Sequence, residues 1–241
     1  MRDVDLGRCV AVLMKRTTEG RTGILGGRFD PIHLGHLGTA AVALRALALD
    51  RVLLLPSRVS PPHRGAPAHA TDRDRLALVT LAASSDAHLS PCDLELESDA
   101  PSYTSVTLER LRDQGHRRTQ LFFIVGADAF AEIATWHHYP AVLDAAHFVV
   151  VSRPGHPAAD LVETLQDLRT RMRPLTRGAE RLSVDADTAP AVFLIDAVTP
   201  DVSSTDIRAR VARGEPLDGL VPANVAAYIT HHRLYTPQCG D

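Results

Sequence analysis

The chain has 241 residues, of which 45% are hydrophobic, so it can bury a core as one large domain or as two small ones. Its 26 Lys and Arg residues against 29 Asp and Glu residues give a formal net charge of −3. This balance excludes the broad positive charge that drives non-specific nucleic-acid binding, so any bound anion must be held by a local cluster.

Cysteine usage and hydropathy narrow the class of protein further. The three cysteines, Cys9, Cys92 and Cys239, are far apart and form no CxxC pair, which argues against a disulfide framework or a zinc ribbon. The apolar run Cys9–Met14 is too short for the core of a signal peptide, and no run approaches the roughly 18 residues that span a bilayer. We therefore predict a cytoplasmic protein that does not associate with membranes.

Short apolar runs rich in β-favouring residues alternate with helical patterns in the first half of the chain. In chain order, the predicted elements are a strand at Ile24–Leu25, a helix at Leu34–Leu49, a strand at Val52–Leu55, a helix at Asp72–Ala83, a strand at Leu94–Glu97 and a helix at Ser105–Gln114. The proline-rich stretch 57–71 is predicted to be a loop, and Thr71 or Asp72 is expected to cap the helix after it.

The second half of the chain continues this alternation of strands and helices. Its predicted elements are a strand at Leu121–Val125, a helix from about Ala127, a strand at Phe148–Val151, a helix at Leu161–Met172, a strand at Val192–Ile195, and helices at Ser204–Ala212 and Pro222–His232. Residues 173–190 are polar and irregular, which predicts an inserted loop rather than a domain boundary.

The order of these elements indicates the fold class. Alternating strands and helices are typical of βαβ units, and continuously apolar strands fit a parallel sheet covered on both faces. We predict an α/β fold: a Rossmann-like, doubly wound, mostly parallel sheet with a small C-terminal helical part. Residues 23–236 would form a single domain, with an extension at 1–22, either ordered or disordered, and a tail at 237–241. Ligands of such sheets bind beyond the carboxyl ends of the strands.

The stretch 23–36, GILGGRFDPIHLGH, follows the first predicted strand. Its glycine pair allows a tight turn, and the helix that begins near His33 points its N-terminus, which favours anions, at the same space. His33 and His36 are three residues apart and share one helix face. The residues themselves favour imidazole donors to a phosphate, while a metal site made with Asp30 and a purely structural role stay open as alternatives.

A second motif, VSSTDIR at 202–208, lies near the other end of the chain. Ser203 stands three residues before Asp206, which is the spacing of a capping box for a helix that starts at Ser204. Ser204 and Arg208 are four residues apart, so a hydroxyl, the N–H groups of a helix start and a guanidinium would converge on phosphate oxygens. The alternative is a capped surface helix with a solvated arginine.

Together the two motifs resemble the GG(T/S)FDPxHxGH and ISSTxIR signatures of the HxGH nucleotidyltransferases, and most of all those of bacterial nicotinate-nucleotide adenylyltransferases. The first match departs at Arg28, where that family usually has Thr or Ser. The resemblance covers about 23–235. It implies transfer of the adenylyl group of ATP to nicotinate mononucleotide, giving nicotinate adenine dinucleotide and pyrophosphate, with Mg²⁺ on the phosphates. It also implies catalytic roles for His33, His36 and Arg208.

Further segments resemble the same family: SPPHR at 60–64, PSYT at 101–104, VGAD at 125–128, TW at 135–136 and RPG at 153–155. The ATP-binding residues that the resemblance implies are Gly26, Gly27, Arg28, Phe29, His33, His36, Gly126, Asp128, Ser203, Ser204, Thr205 and Arg208. The mononucleotide-binding residues that it implies are His63, Arg64, Tyr103, Thr104, Trp136, His137 and Arg153. It implies no protein ligand for the metal ion.

Several of these residues also have structural interpretations. Asp128 could stabilise the first turn of its own helix, Trp136 could pack in the core, and Arg153 could form an ion pair. At Arg28 we expect the backbone to serve the site, with the guanidinium either on a phosphate or exposed. The alternatives for function are the same chemistry on nicotinamide mononucleotide, phosphopantetheine or a cytidylyl transfer, or a non-catalytic nucleotide sensor. The sequence gives no prediction of the oligomeric state.

Overall fold

A seven-stranded parallel β-sheet forms the centre of the structure, a computed structural model that describes residues 20–58, 68–98, 101–175 and 189–237. Its strands are β1 (Thr22–Gly27), β2 (Arg51–Pro56), β3 (Leu89–Pro91), β4 (Leu121–Gly126), β5 (His147–Val151), β6 (Met172–Leu175) and β7 (Val192–Ile195). They lie in the order β3-β2-β1-β4-β5-β7-β6, and each neighbouring pair is parallel. The predicted α/β class is confirmed.

Helices cover both faces of this sheet. They are α1 (Leu34–Leu47), α2 (Asp72–Ala83), α3 (Thr104–Asp113), α4 (Ala127–Phe130), α5 (Leu161–Thr164), α6 (Ser204–Ala212) and α7 (Ala223–His231), with 3-10 helices at Arg118–Gln120, Ile133–Thr135, Ala141–Asp144 and Gln166–Arg171. Successive strand residues enter two separate cores: Leu25 belongs to the core with α1, α2, α6 and α7, and Ile24 to the core with α3 and α4. The sheet is therefore doubly wound, as predicted.

The strand order reverses between β1 and β4, which are neighbours in the centre of the sheet. From β1 the chain builds outward through β2 and β3, and it then returns to place β4 on the other side of β1. The carboxyl ends of these two strands, at Gly27 and Gly126, therefore border a crevice. Open α/β sheets bind ligands in this position.

Helix ends follow local signals in the sequence. Thr71 caps α2, and its hydroxyl accepts a hydrogen bond from the Asp74 N–H at 3.1 Å. α1 ends at Leu47 rather than at the predicted Leu49, because Ala48 adopts a left-handed conformation with φ 47°. These ends direct the chain from each helix into the next strand.

The predicted strand at Leu94–Glu97 is wrong. The third strand is Leu89–Pro91, and its pairing with β2 ends at Cys92. Residues 94–97 form a turn that is closed by a backbone hydrogen bond of 2.7 Å. The turn buries Leu94, leaves Glu95 and Leu96 partly buried and exposes Glu97, so the apolar and acidic residues alternate in sequence without strand pairing.

The predicted helix at Leu161–Met172 is wrong in part. α5 ends at Thr164, a 3-10 helix follows, and β6 begins at Met172. β6 therefore occupies the start of the stretch 173–190, which was expected to be a loop. Pro174 is tolerated because β6 is an edge strand, paired only with β7, and the packing of that edge overrides the helical spacing of the sequence.

Several predictions fall outside the described residues. These are the extension up to residue 19 with Cys9, the part of the proline-rich loop at 59–67 with His63 and Arg64, the stretch 176–188, and the tail from 238 with Cys239. Within the described ranges Cys92 is a buried free thiol, and burial raises its pKa to about 11. No helix in those ranges is long and apolar enough to cross a membrane.

Candidate active site

A cavity of about 740 Å³ opens at the crevice between β1 and β4. Its volume is typical of a small-molecule site. The predicted site residues that line it are Gly26, Gly27, Arg28, His36, Tyr103, Thr104, Gly126, Asp128, Trp136, His137, Arg153, Ser204, Thr205 and Arg208. Segments that are far apart in the sequence therefore meet around one space.

Three other predicted site residues in the described ranges do not line this cavity. Phe29 is 1% exposed and meets the His36 ring edge-on, with ring centroids 4.9 Å apart. His33 is 2% exposed and stacks on His36. Ser203 caps α6 as predicted: its hydroxyl accepts from the Asp206 N–H at 3.1 Å and donates to the Asp206 carboxylate at 2.8 Å.

His33 and His36 form a stacked imidazole pair at the start of α1. Since His33 is the N-cap residue, the three-residue spacing places both rings on one side of the helix, with centroids 3.7 Å apart and planes at 25°. Gly35 makes this stack possible. A Cβ at Gly35 would lie 3.0 Å from the His33 ring and 3.1 Å from the Pro200 carbonyl oxygen, so a larger residue would displace the pair.

Burial keeps both imidazoles neutral near pH 7. Burial, with a smaller effect of the Arg153 charge, lowers the pKa of His33 to about 4. Burial, then His33 and Arg153, lowers the pKa of His36 well below its ordinary value. A neutral imidazole keeps one N–H donor. The pair therefore presents hydrogen-bond donors beside a guanidinium, rather than two fixed positive charges.

The N-terminus of α1 is less open to an anion than the sequence predicts. The Leu34 N–H, the first of the helix, donates to the Leu220 carbonyl at 2.9 Å. That carbonyl belongs to the C-terminal part of the chain and takes up one donor that a phosphate would otherwise meet. Binding at this end of the cavity must therefore depend more on side chains.

The start of α6 bonds directly to the first motif. The Ser204 hydroxyl donates to the Pro31 carbonyl at 2.9 Å across 173 residues, and the Arg208 guanidinium donates to the Asp30 carbonyl at 2.7 Å across 178 residues. Arg208 also donates to the Thr205 hydroxyl at 3.2 Å. The Ser204 proton is thus used within the protein, and the donors that stay available to an anion here are helix N–H groups and the other N–H donors of Arg208.

The Asp30 carboxylate joins three separate segments at the site. It is 1% exposed and accepts from the Ala70 N–H (3.0 Å), the His69 N–H (2.7 Å) and the Tyr235 hydroxyl (3.0 Å), with the His69 ring nitrogen 3.2 Å away. Burial by itself raises the pKa of Asp30, but these hydrogen bonds outweigh burial and hold the pKa below its ordinary value. Asp30 is therefore an ionised structural anchor.

The arrangement around Asp30 does not favour the metal-site alternative. Both carboxylate oxygens already accept hydrogen bonds from the protein, while His33 and His36 stack on each other. Across the described residues, no three His, Cys, Asp or Glu side chains converge closely enough to hold a metal ion. The donor set at this end of the cavity suits an anion instead.

The end of β4 contributes an ion pair to the cavity wall. Asp128, in the first turn of α4, lies 3.7 Å from the Arg153 guanidinium. Gly126 leaves room for both side chains, because a Cβ there would lie 2.4 Å from an Asp128 oxygen and 3.0 Å from Cδ of Arg153. Asp128 therefore lies in the first turn of its helix and Arg153 forms an ion pair, which are the structural roles considered for them from the sequence. Both side chains also line the cavity.

Aromatic rings line the end of the cavity beside α3. Trp136 packs on Phe123 and Phe148, with ring centroids 6.0 and 6.3 Å away, and it also lines the cavity. Tyr103 stacks on His137 at 4.3 Å and 15°. Trp136 therefore combines core packing with a surface that can meet a flat ligand.

Tyr235 and Glu95 have no role in the sequence-based prediction. Tyr235 bonds Asp30, and Glu95 lines the cavity while accepting from the Thr107 hydroxyl at 2.6 Å. Tyr235 lies just beyond α7, and a tyrosine there gives a usable signal, because it offers a hydroxyl as well as a ring. Glu95 gives none, since its partner lies 12 residues away and its segment was expected to be a strand.

Comparison with known proteins decides the family. The model of the cytidylyltransferase-like family matches residues 24–210. A relative from Shewanella baltica (strain OS185), named a probable nicotinate-nucleotide adenylyltransferase, is 39% identical over 220 residues, which are 90% of this chain and 100% of the relative. The chain belongs to the nicotinate-nucleotide adenylyltransferases of the cytidylyltransferase-like family.

Other comparisons agree with this membership of the nicotinate-nucleotide adenylyltransferases. A relative of the same name from Roseiflexus sp. (strain RS-1) is 42% identical over 217 residues, which are 88% of this chain and 96% of the relative. The solved nicotinic acid mononucleotide adenylyltransferase of Plasmodium falciparum, complexed with NaAD, has a TM-score of 0.64. That match covers 90% of this chain and 98% of the other at 15% identity, so it shows the shared fold.

We predict that Tyr235→Phe lowers the free energy of unfolding of the adenylyltransferase by about 1.5–3 kcal/mol, because a buried charged acceptor loses a donor. Tyr228→Phe is the matched control. The Tyr228 hydroxyl donates to Asp74, also at 3.0 Å, but Asp74 is partly exposed, so we expect a loss of about 1 kcal/mol or less. Urea unfolding measures both. Equal losses would contradict the anchoring role of Asp30.

We also predict that the unliganded chain loses stability as the pH falls from 6.5 towards 4. In that window an unfolded histidine binds a proton, while folded His33, with a pKa of about 4, does not, so protons favour the unfolded chain. Each such histidine contributes up to about 1.4 kcal/mol per pH unit. His33→Asn should flatten the pH profile of urea unfolding, while replacing the exposed His231 with Gln should not. An unchanged slope in His33→Asn would rule out this account.

Proposed function

We propose that the cavity binds ATP and nicotinate mononucleotide at its two ends and brings their phosphates together between α1 and α6. As a nicotinate-nucleotide adenylyltransferase, the enzyme transfers the adenylyl group of ATP to the mononucleotide, giving nicotinate adenine dinucleotide and pyrophosphate. One observation supports this use of the cavity above the others. The histidine motif after β1 and the start of α6 are bonded to each other and line the same space.

The reaction requires positioning and charge stabilisation rather than a nucleophile from the protein. A phosphate oxygen of the mononucleotide attacks the α-phosphorus of ATP in line and forms the new P–O bond. The bond from the α-phosphorus to the bridging oxygen breaks, and its electron pair leaves with pyrophosphate. Negative charge grows on the oxygens of the α-phosphate, so donors placed there lower the barrier.

His36 is the donor that we assign to the α-phosphate, and His33 is the partner that supports it. His36 lines the cavity, and His33 stacks behind it, so the pair is held without flexible side chains. Because both imidazoles are neutral in the empty site, phosphate charge can raise their pKa and draw a proton onto the pair as the reaction proceeds. Arg153, whose charge acts on both rings, would place positive potential beside the same phosphate.

Arg208 and the start of α6 would hold the β- and γ-phosphates and the leaving pyrophosphate. Arg208 is partly buried (18% exposed), and its bond to the Asp30 carbonyl fixes the guanidinium at the cavity. The nine-residue helix α6 directs its positive end to the same place. Ser204 contributes here by joining the two motifs through Pro31.

The mononucleotide would occupy the aromatic end of the cavity. Its pyridine ring would lie against Trp136, and its carboxylate would meet the N-terminus of α3 at Tyr103 and Thr104. A carboxylate gains from the positive end of a helix, whereas a neutral amide gains less, which supports the acid as substrate. The contributions of His63 and Arg64 stay predictions.

Mg²⁺ would be held mainly by the phosphate oxygens of ATP and by water, as is usual for this ion. The Asp30 carboxylate fits that arrangement, because both of its oxygens already accept hydrogen bonds from the protein. When bound, the ion neutralises phosphate charge and supports the departure of pyrophosphate.

The cytoplasmic location stays a prediction from the cysteine pattern.

The function is tested by pyrophosphate release from ATP with nicotinate mononucleotide or nicotinamide mononucleotide as the acceptor. We expect release that depends on the acceptor, a higher kcat/KM for the acid, and nicotinate adenine dinucleotide as the co-product. Binding of ATP without release of pyrophosphate for either acceptor would instead indicate a nucleotide sensor.

We predict that His36→Ala lowers kcat by about 10²–10³, the usual cost of removing one pre-placed oxyanion donor. The steady-state rate of pyrophosphate release measures this loss, and an unchanged unfolding transition shows that the fold survives. His231→Ala, at an exposed position at the end of α7, is the matched control and should keep the wild-type rate. A tenfold loss or less in His36→Ala would contradict a catalytic role.

We predict that Arg28→Thr keeps kcat within about tenfold of the wild type. Arg28 lines the cavity, but its carbonyl is held by the fully buried Arg75 guanidinium at 2.6 Å, and the substitution leaves that backbone contact intact. Arg28→Lys, which keeps a cation, is the companion variant. Loss of all activity in Arg28→Thr with retention in Arg28→Lys would show that the site needs the positive charge.

A further inference from the structure

Glu95 is a carboxylate in the cavity wall that the proposed mechanism does not use. It lies in the turn after β3, close to the start of α3, and lines the cavity together with Tyr103 and Thr104. An acid beside the expected position of a substrate carboxylate would repel that substrate if it carried a full charge. Its placement therefore requires an explanation.

The contacts of Glu95 join two segments of the cavity wall. Its Oε1 accepts a hydrogen bond of 2.6 Å from the hydroxyl of Thr107, which is 2% exposed and lies one turn into α3. Arg110 also links the turn to the helix, by hydrogen bonds to the Leu94 carbonyl and, at 3.2 Å, to Glu97. Glu95 differs from these because it reaches the first turn of α3 and borders the cavity.

The first turn of α3 is arranged to meet an anion. Its N-cap residue, Tyr103, makes no side-chain cap hydrogen bond, and the turn contains no acidic residue. The helix has ten residues, so its N–H groups and dipole favour a negative group at this end. Glu95 accepts a hydrogen bond from a side-chain hydroxyl of the helix. Its carboxylate therefore holds the side of the helix and not the N-terminal end that would meet the anion.

Burial of Glu95 reduces its conflict with an anionic ligand. Burial raises the pKa of Glu95, and the Thr107 hydroxyl, the Ser102 hydroxyl and the charge of Arg110 only partly offset that rise. A carboxyl group that gains a proton readily repels a neighbouring anion less than a solvated one does. Glu95 can therefore hold α3 in place with less repulsion of the substrate than a solvated carboxylate would cause.

We propose that Glu95 is a positioning residue for the mononucleotide: through Thr107 it fixes the first turn of α3 against the turn 93–97, so that the helix start meets the carboxylate of the pyridine. This inference rests on the proposed function, because the ligand is the acceptor of that reaction. Glu95 acts through α3 and is not itself a catalytic residue.

The experiment separates a positioning role from a general structural one. The KM values for nicotinate mononucleotide and for ATP are measured in Glu95→Ala, Glu95→Gln, Thr107→Val and Glu97→Ala, with urea unfolding of each variant. Trp136 is the only tryptophan and lines the cavity, so its fluorescence gives the dissociation constant of the mononucleotide without turnover. Glu97→Ala is the matched control, because Glu97 lies two residues away, is exposed and bonds Arg110.

We expect Glu95→Ala and Thr107→Val to raise both the KM and the dissociation constant for the mononucleotide by about tenfold, the effect of roughly 1.4 kcal/mol. The KM for ATP should stay within about twofold. Glu95→Gln keeps an oxygen acceptor for Thr107 and should restore affinity to within about threefold of the wild type, and Glu97→Ala should match the wild type.

Three outcomes would overturn the proposal: unchanged affinity for the mononucleotide in Glu95→Ala, an equal rise of both KM values, or the same loss in Glu97→Ala. Failure of the proposed function gives a different result. In that case the wild-type chain would release no pyrophosphate, while the fluorescence titration would still measure whether Glu95 controls binding of the mononucleotide.

Discussion

The buried carboxylate of Asp30 is the interaction on which the rest of the site depends. It is ionised and nearly inaccessible to solvent, so the protein must supply the hydrogen-bond donors that its oxygens need. The donors come from the segment before α2 and from Tyr235 beyond α7, and the Asp30 backbone carbonyl accepts from Arg208 in α6. One charged group thus fixes the segments that surround the phosphate end of the cavity.

This anchoring explains how the candidate catalytic groups are held in place. The carbonyls of Asp30 and Pro31 orient Arg208 and Ser204, and the same backbone leads directly into the stacked histidines of α1. Because burial keeps both imidazoles neutral, the protein avoids placing two further positive charges beside Arg153. In the proposed function, the negative charge of the incoming phosphate would stabilise a proton on the pair.

The two ends of the cavity use helix starts differently. At the proposed phosphate end, Ser203 caps α6. The guanidinium groups that line the cavity add their positive charge to the attraction that the helix start exerts on an anion. At the aromatic end, α3 carries no side-chain cap, and Glu95 holds it from the side. A capped and reinforced helix suits a highly charged triphosphate, while an uncapped one suits a single carboxylate. In the proposed function, the reacting phosphates lie between these two helix starts.

The sequence by itself determined the strand and helix alternation, the fold class and the types of donor at the site, because hydrophobic periodicity and short motifs are local properties of the chain. It missed β6 and misassigned the turn at 94–97, since edge pairing and a buried turn depend on distant neighbours. Only the tertiary structure decided that the Ser204 hydroxyl bonds Pro31, that the histidines are neutral, and that Glu95 borders the cavity. Hydrogen-bond partners and protonation are set by burial and by residues that are brought together from far apart in the chain.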